Sequence, residues 1–416
     1  MTVVVDGLQD FTIEHYRRVA FDGEGVVIGP TALAHMDRSR SQFVRLLDSD
    51  RTQFIYGVTS NFGPRARQVI PPQQQSTHAR GVGPGRGSWG RGFGGGHLDQ
   101  RVVRGILFAR LANFVSGSAK VRSVVAERAA ALLDGPLPEV PLDGEVGAGE
   151  VLPLVHMMRS FERGDLEEGE GGALSNGSPV AAALAADSAL TGRRRLAEAT
   201  TVLARSLAAQ GAPRQPCEAP AVRAWGDAAD VAAAERLVAA LPPQGSAGAA
   251  GGVIPASSTR LVAFLGQAER ALGAVGHAAR VSLRSVTDNP VYLLPDDDHP
   301  LGRAVSTGGY HNAMTYPALN DLAAAWAELV VVADRHVRTL RRHSGLQPEA
   351  DDPAAALPGL VMEARAAAVA TLLPAAVNDP QDDVSAPALS AWRRAGRAGE
   401  LLDAALGVVD RVTGER

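Results

Sequence analysis

At 416 residues, with 45% hydrophobic and 21% charged side chains, the chain is long enough for two or three domains and a sizeable core. Its net charge of −4 argues against a general nucleic-acid or membrane-surface binder. The single cysteine, Cys217, excludes an intramolecular disulfide and a cysteine-based metal site. No apolar run approaches membrane length, and MTVVVDGLQD lacks a basic start followed by a long apolar stretch, so a cytoplasmic protein without a leader is expected.

In chain order, FTIEHYRRVA and PTALAHMDRSRSQFVRLLDS in residues 11–50 read as two short helices, the second opening near Pro30. In FIYGVTSNFG, residues 54–63, a strand-like apolar run breaks into polar turn residues and presents Tyr56. A tyrosine there either anchors the loop to the core or acts as a base. His78 follows in QQQSTHARGVG, where a lone histidine reads as solvated. The Gly-rich loop 80–98 cannot hold one conformation cheaply and reads as a solvated lid. Its Arg, Trp and Phe residues are too few, in an acidic chain, to indicate nucleic acid.

Residues 101–133 show helical spacing interrupted at Ser116-Gly117-Ser118. Lys120, the one lysine, falls within this run and is discounted as a Schiff-base nucleophile. A Gly-rich acidic turn, PLDGEVGAGEVLPLVH, spans Pro141–His156, and an acidic stretch, ERGDLEEGEGG, follows before ALSNGSP. Beyond Pro179, Ala/Leu/Val-rich helical runs cover 179–209, 228–241, 256–285, 312–343 and 383–412, with a Pro/Gly/Ala-rich connection at 210–255. A 30-residue helix is about 45 Å long, which suits a bundle shared between subunits. Asp296-Asp297-Asp298-His299 reads as a solvated turn, since consecutive carboxylates alternate direction; no metal site is expected. His336 and His343, two turns apart on a basic stretch, read as a surface or intersubunit face.

These motifs together resemble the aromatic amino acid lyases, the histidine and phenylalanine ammonia-lyase family. Val146-Gly147-Ala148 and Pro153-Leu154-Val155-His156 match its loop GSVGASGDLAPLAH, with Glu150 near the family's Asp. In that family the Ala-Ser-Gly triplet cyclises and dehydrates to an electrophilic methylidene-imidazolone. Here the chain runs Gly147-Ala148-Gly149-Glu150, one residue short, with no Ser or Cys from Pro141 to Met158. Gly and Ala carry no leaving group on Cβ, so this degenerate loop cannot supply the exocyclic carbon. By the same resemblance Tyr56 falls on the family's catalytic tyrosine in YGVNTGFG, and His78 and Gly83 fall in its SHAxGxG. Asn176 falls in its ALxNGT, and the shorter stretch before it implies a more open pocket. Arg260 falls on the carboxylate binder of QDxYSxR, whose tyrosine is Ser257. TDNP at 287–290 fits SDNP, Tyr310 stands for the Phe of SGGNFH, and Gln381 replaces the glutamate of NQEDHVS.

The resemblance implies a mainly α, fumarase/ammonia-lyase-like long-helix bundle with a mixed N-terminal portion. The expected domains are an N-terminal active-site-loop domain, 1–178, and a long-helix oligomerisation domain, 179–416. It implies a homotetramer acting on a small-molecule substrate; the missing serine leaves no cofactor expected, and charge and hydropathy leave no nucleic-acid or membrane partner expected. Tyr56, His78 and Tyr310 are the expected catalytic residues; Asn176, Ser257, Arg260 and Gln381 the expected substrate contacts. Two functions fit: cofactor-independent acid/base catalysis in bacterial secondary metabolism, or an inactive homologue serving as a binding scaffold.

Overall fold

The computed structural model describes residues 2–81, 96–143, 147–159, 161–242, 254–344, 352–373 and 383–414. Their elements, in order, are β1 (Thr2–Val5), α1 (Ile13–Ala20), β2 (Gly25–Ile28), α2 (Pro30–Ser49), α3 (Gln75–Gly81), α4 (Gln100–Val115), α5 (Ser123–Ala131), α6 (Val151–Met157) and α7 (Glu170–Ala173). There follow α8 (Pro179–Ala209), α9 (Ala219–Val222), α10 (Ala228–Ala240), α11 (Ala256–Thr259), α12 (Leu261–Ser282), β3 (Val291–Leu293), β4 (Arg303–Val305), α13 (Thr315–Ser344), α14 (Leu357–Ala367) and α15 (Ala388–Gly414). The fold is mainly α. β1 and β2 pair in parallel, Thr2 opposite Gly25, and β3 and β4 pair antiparallel, Val291 opposite Val305.

The chain divides into two compact units. The first comprises Met1–Asp187, Ala278–Thr315 and Leu372–Leu389; the second comprises Ser188–His277, Tyr316–Thr371 and Ser390–Arg416. The boundary expected after residue 178 thus falls inside the first unit, which also takes in two later stretches.

In the first unit α4 is the central helix. Asp99 caps it by accepting from Arg101 N at 2.8 Å, and it is buried from Val102 to Val115 except at Arg104. Such all-round burial marks a helix packed on several sides. Phe108 stacks obliquely on Phe11 at 5.0 Å, and Gly105 admits Tyr16, whose Oη lies 2.2 Å from where a Cβ would stand. After α4 the backbone turns left-handed at Gly117 (φ 76°) and Lys120 (φ 63°) before α5. Lys120 is therefore not within a helix, contrary to the periodicity. It is buried, its Nζ donates to Pro290 O at 2.6 Å, and burial lowers its pKa to about 8.

The second unit packs Ala, Leu and Val from α8, α10, α12, α13 and α15 around Trp326. Gly192 keeps this packing close, since a Cβ there would sit 2.5 Å from Leu272 Cδ2. The expected helix 256–285 breaks into α11 and α12 at Arg260, which leaves helical geometry (φ −104°, ψ 9°). His336 is fully buried rather than on a surface or intersubunit face. The arginines flanking it in sequence hide that it lies on the inward side of α13 with Ala333, Val337 and Leu340, all buried.

Candidate active site

Tyr56 sits in a turn, as its polar neighbours suggest, although the apolar residues before it form no strand. Thr59 Oγ1 accepts from Ile55 N at 2.7 Å and donates to Gln53 O at 2.6 Å, which closes the chain on itself. Gly57 takes φ 68°, and a Cβ there would lie 2.2 Å from the Phe62 ring. Phe62 meets Tyr56 edge-on, centroids 5.6 Å apart, and stacks on His78 at 5.5 Å. Gly63 N donates to Tyr56 Oη at 3.1 Å. Burial lowers the His78 pKa below 6.5, so the imidazole is neutral at pH 7. Its Nε2 is buried without a hydrogen-bond partner among the described residues. An unpartnered buried nitrogen costs free energy and is a ready contact for a ligand.

The helix bearing His78 is held by the acidic stretch. A Cβ at Gly171 would lie 1.8 Å from Ala79 O, so α7 and α3 touch backbone to backbone. Ser76 Oγ donates to Glu168 Oε1 at 2.8 Å, and Arg80 Nε to Leu166 O at 3.2 Å. Arg128 grips Asp165 and Arg40 pairs with Glu167. Fully buried Glu170 accepts from Arg122 N, Nε and Nη2 and from Glu167 N, all within 2.9 Å. Burial pushes the Glu170 carboxyl up, but the Arg122 hydrogen bonds and the Arg40 charge outweigh it and hold the group below its ordinary value.

The degenerate loop is fixed at both ends. Gly147 O accepts from Ala386 N at 2.9 Å, and Ser385 O stands 3.4 Å from His311 Nε2. Buried Glu150 accepts from Val180 N at 2.7 Å and Ala181 N at 2.8 Å, so its carboxylate caps α8 where the helix dipole favours an anion. Between these anchors, a Cβ built on Gly149 would lie 3.6 Å from both Tyr310 Cδ2 and Val151 Cγ2, an ordinary contact. Room for one carbon exists beside Tyr310; the sequence supplies none.

Asn176 is tied to the 287–290 turn: its Nδ2 donates to Asn289 O, and its Oδ1 accepts from Gly177 N at 2.7 Å. Arg110 donates to Asn176 O and pairs with Asp288 at 2.6 Å, both side chains fully buried. Ser257 and Arg260 belong to the second unit, on and just after α11, with Arg260 exposed on this chain. Gln381, and residues 82–95 of the Gly-rich loop, lie outside the described residues. Asp296 Oδ1 accepts from Asp298 N, His299 N and His299 Nδ1, a closed turn. No group of three or more His, Cys, Asp or Glu among the described residues could hold a metal ion. Nor is any described helix long and apolar enough to cross a membrane.

The aromatic amino acid lyase family model matches residues 11–162 and 159–372. The chain belongs to that family. It is 31% identical to a histidine ammonia-lyase of Deinococcus radiodurans over 382 residues, covering 80% of this chain and 67% of that one. A histidine ammonia-lyase of Streptomyces coelicolor is 29% identical over 437 residues, covering 94% and 81%. The phenylalanine aminomutase structure from Pantoea agglomerans superposes with a TM-score of 0.83 at 18% identity, over 99% of this chain and 90% of that one. That likeness gives the fold of an aromatic amino acid lyase. Phe62 and Asp288 fall inside matched motifs without a role being read for them, and no matched motif contains Gly171 or Arg110. A Gly-Gly pair in EGEGG was the one visible signal of a close backbone contact.

Proposed function

We propose that this family member is an enzyme that works without the family's electrophile, by acid/base chemistry on a small carboxylate- or carbonyl-bearing substrate. Elimination, conjugate addition, cyclisation and isomerisation all fit such chemistry. The observation that carries the reading is the Tyr56–Phe62–His78 assembly, in which two proton-carrying side chains are ordered by one ring and His78 Nε2 has no hydrogen-bond partner among the described residues. A general acid or base needs a fixed position and a protonation state suited to the working pH, and neutral His78 meets both. The residues present do not fit a methylidene-imidazolone. Its exocyclic carbon would arise at the centre of the loop, where Gly149 has no Cβ and its neighbours Ala148 and Glu150 carry no leaving group on theirs. Arg260 would hold the substrate carboxylate and Tyr310 would line the space beside Gly149, in a cytoplasmic homotetramer.

A second reading, an inactive homologue serving as a binding scaffold, is favoured by Glu150 and Asn176. Both stand at family positions, and both commit polar side-chain atoms to backbone groups. Incubation in D2O with aromatic amino acids and their α,β-unsaturated carboxylates, followed by mass spectrometry, separates the two. Deuterium incorporation that falls about 100-fold or more in Tyr56→Phe supports the enzyme. Binding without exchange supports the scaffold.

A further inference from the structure

We propose that His336 is a positioning residue for the turn bearing Ser257 and Arg260, gripping it through a one-way chain of hydrogen bonds that starts and ends on that turn. Ser258 Oγ lies 2.8 Å from Gln210 Oε1, and Gln210 Nε2 lies 3.3 Å from Ser206 Oγ. Ser206 Oγ lies 3.1 Å from His336 Nδ1, and His336 Nε2 lies 3.4 Å from Ser257 O. Ser206, Ser258 and His336 are 0–1% exposed, and Gln210 is 9% exposed.

The direction of each bond follows from its last acceptor. A carbonyl oxygen only accepts, so His336 Nε2 must carry the proton toward Ser257 O. In a neutral imidazole Nδ1 is then an acceptor, so the Ser206 hydroxyl donates to it. Ser206 Oγ in turn accepts from Gln210 Nε2, and Gln210 Oε1 accepts from the Ser258 hydroxyl. Every link is satisfied in this one sense. Burial, which lowers the His336 pKa to about 4, keeps the ring in the neutral form that the chain requires.

The turn needs such an anchor. α11 is four residues long, and its N-cap, Pro255, offers no side-chain hydrogen bond. A single helical turn is not stable by itself, because nucleation costs more than one backbone bond returns. α8 supplies Ser206, Gln210 directly follows that helix, and α13 supplies His336; all three residues lie in the second unit with the turn, and together they hold Ser257 and Arg260 in place. That these two residues meet substrate rests on the proposed function; the positioning itself does not.

The test uses the full-length protein. With 15N-histidine labelling at pH 7, one buried histidine should show a protonated Nε2 and an unprotonated Nδ1, and this signal should vanish in His336→Phe. The Nδ1–H tautomer or an imidazolium at His336 would overturn the proposal. Hydrogen exchange at the Ser258, Thr259 and Arg260 amides should quicken about tenfold or more in His336→Phe and in Ser206→Ala. His336→Gln, which keeps a donor for Ser257 O, should stay near wild type, and the Leu401 and Leu402 amides of α15 should be unmoved in all three. Unchanged exchange at the turn in both disruptive variants would sink the idea. In parallel, Arg260→Met should weaken benzoate binding about tenfold or more. If it does not, the substrate role of Arg260 fails while the tautomer and exchange results still decide the positioning.

Discussion

The ring of Phe62 lies within 21° of parallel to the His78 imidazole, with centroids 5.5 Å apart. The same ring meets Tyr56 edge-on at 88°. One phenylalanine therefore sets the spacing of the two side chains proposed to move protons, and it covers part of the imidazole that burial keeps neutral. Remove it, and both the geometry and the dryness of His78 should change together.

Phe62→Ala should raise the His78 pKa toward 6.5, seen by NMR titration. The lost ring pairs alone should cost about 0.5–1.5 kcal/mol each. Because the folded-state pKa of His78 is depressed, its contribution to stability is present above pH 6.5 and is lost as pH falls through the folded value. The variant should flatten that part of the stability–pH curve. An unmoved titration would mean that Phe62 does not shield His78.

Gly171→Ala should be among the more damaging glycine substitutions near the site. The new Cβ would meet Ala79 O at 1.8 Å, a backbone atom that cannot swing away. Forcing α7 from α3 should cost about 1–3 kcal/mol in chemical denaturation and disturb the His78 resonances. Gly164→Ala, with nothing within 4 Å of its Cβ, is the control and should be nearly silent.

The long helices were legible because their apolar residues recur at helical spacing; α8 spans the expected 179–209. Tyr56, His78 and the 141–156 loop were legible as family motifs in local sequence. What pattern reading could not reach are contacts distant along the chain. Arg110 is charged yet fully buried because Asp288, far along the chain, neutralises it. His336 sits among arginines in sequence, but Ser206 on α8 and Ser257 O on α11 satisfy its nitrogens. In sequence Glu150 is only the end of the degenerate cofactor loop, and it is the fold that brings the start of α8 to its carboxylate. Polar residues of this kind are placed by partners that local periodicity does not record.

Glu170→Gln should destabilise the protein by about 2–3 kcal/mol, as loss of a charge-assisted hydrogen-bond cluster does. In the wild type Glu168 and Glu170 are both held below their ordinary 4.5, so their stabilisation is complete above pH 4.5. It is lost as pH falls through the depressed values. Urea midpoints near about pH 6 and about pH 3.5 should therefore differ less in Glu170→Gln than in wild type. Equal differences would show that the Arg122 cluster contributes nothing to acid sensitivity.

The loop between Gly147 and Glu150 gives the sharpest expectation, because it needs no substrate. Gly147 O is bonded to Ala386 N, and the Glu150 carboxylate is bonded to the first amides of α8, leaving Ala148 and Gly149 between two anchors. Cyclisation of this backbone could release one water, but a methylidene also needs a Cβ with a leaving group, and Gly149 has no Cβ. The intact mass should equal that of the encoded chain, without the loss of two waters. The protein should lack the near-ultraviolet band of a conjugated imidazolone and should resist borohydride at this loop. Inserting Ser between Ala148 and Gly149 restores the triplet, yet Ser257 and Gln381 should still leave amine elimination poor. A wild-type loop already dehydrated by two waters would overturn both the account of the loop and the proposed electrophile-free chemistry.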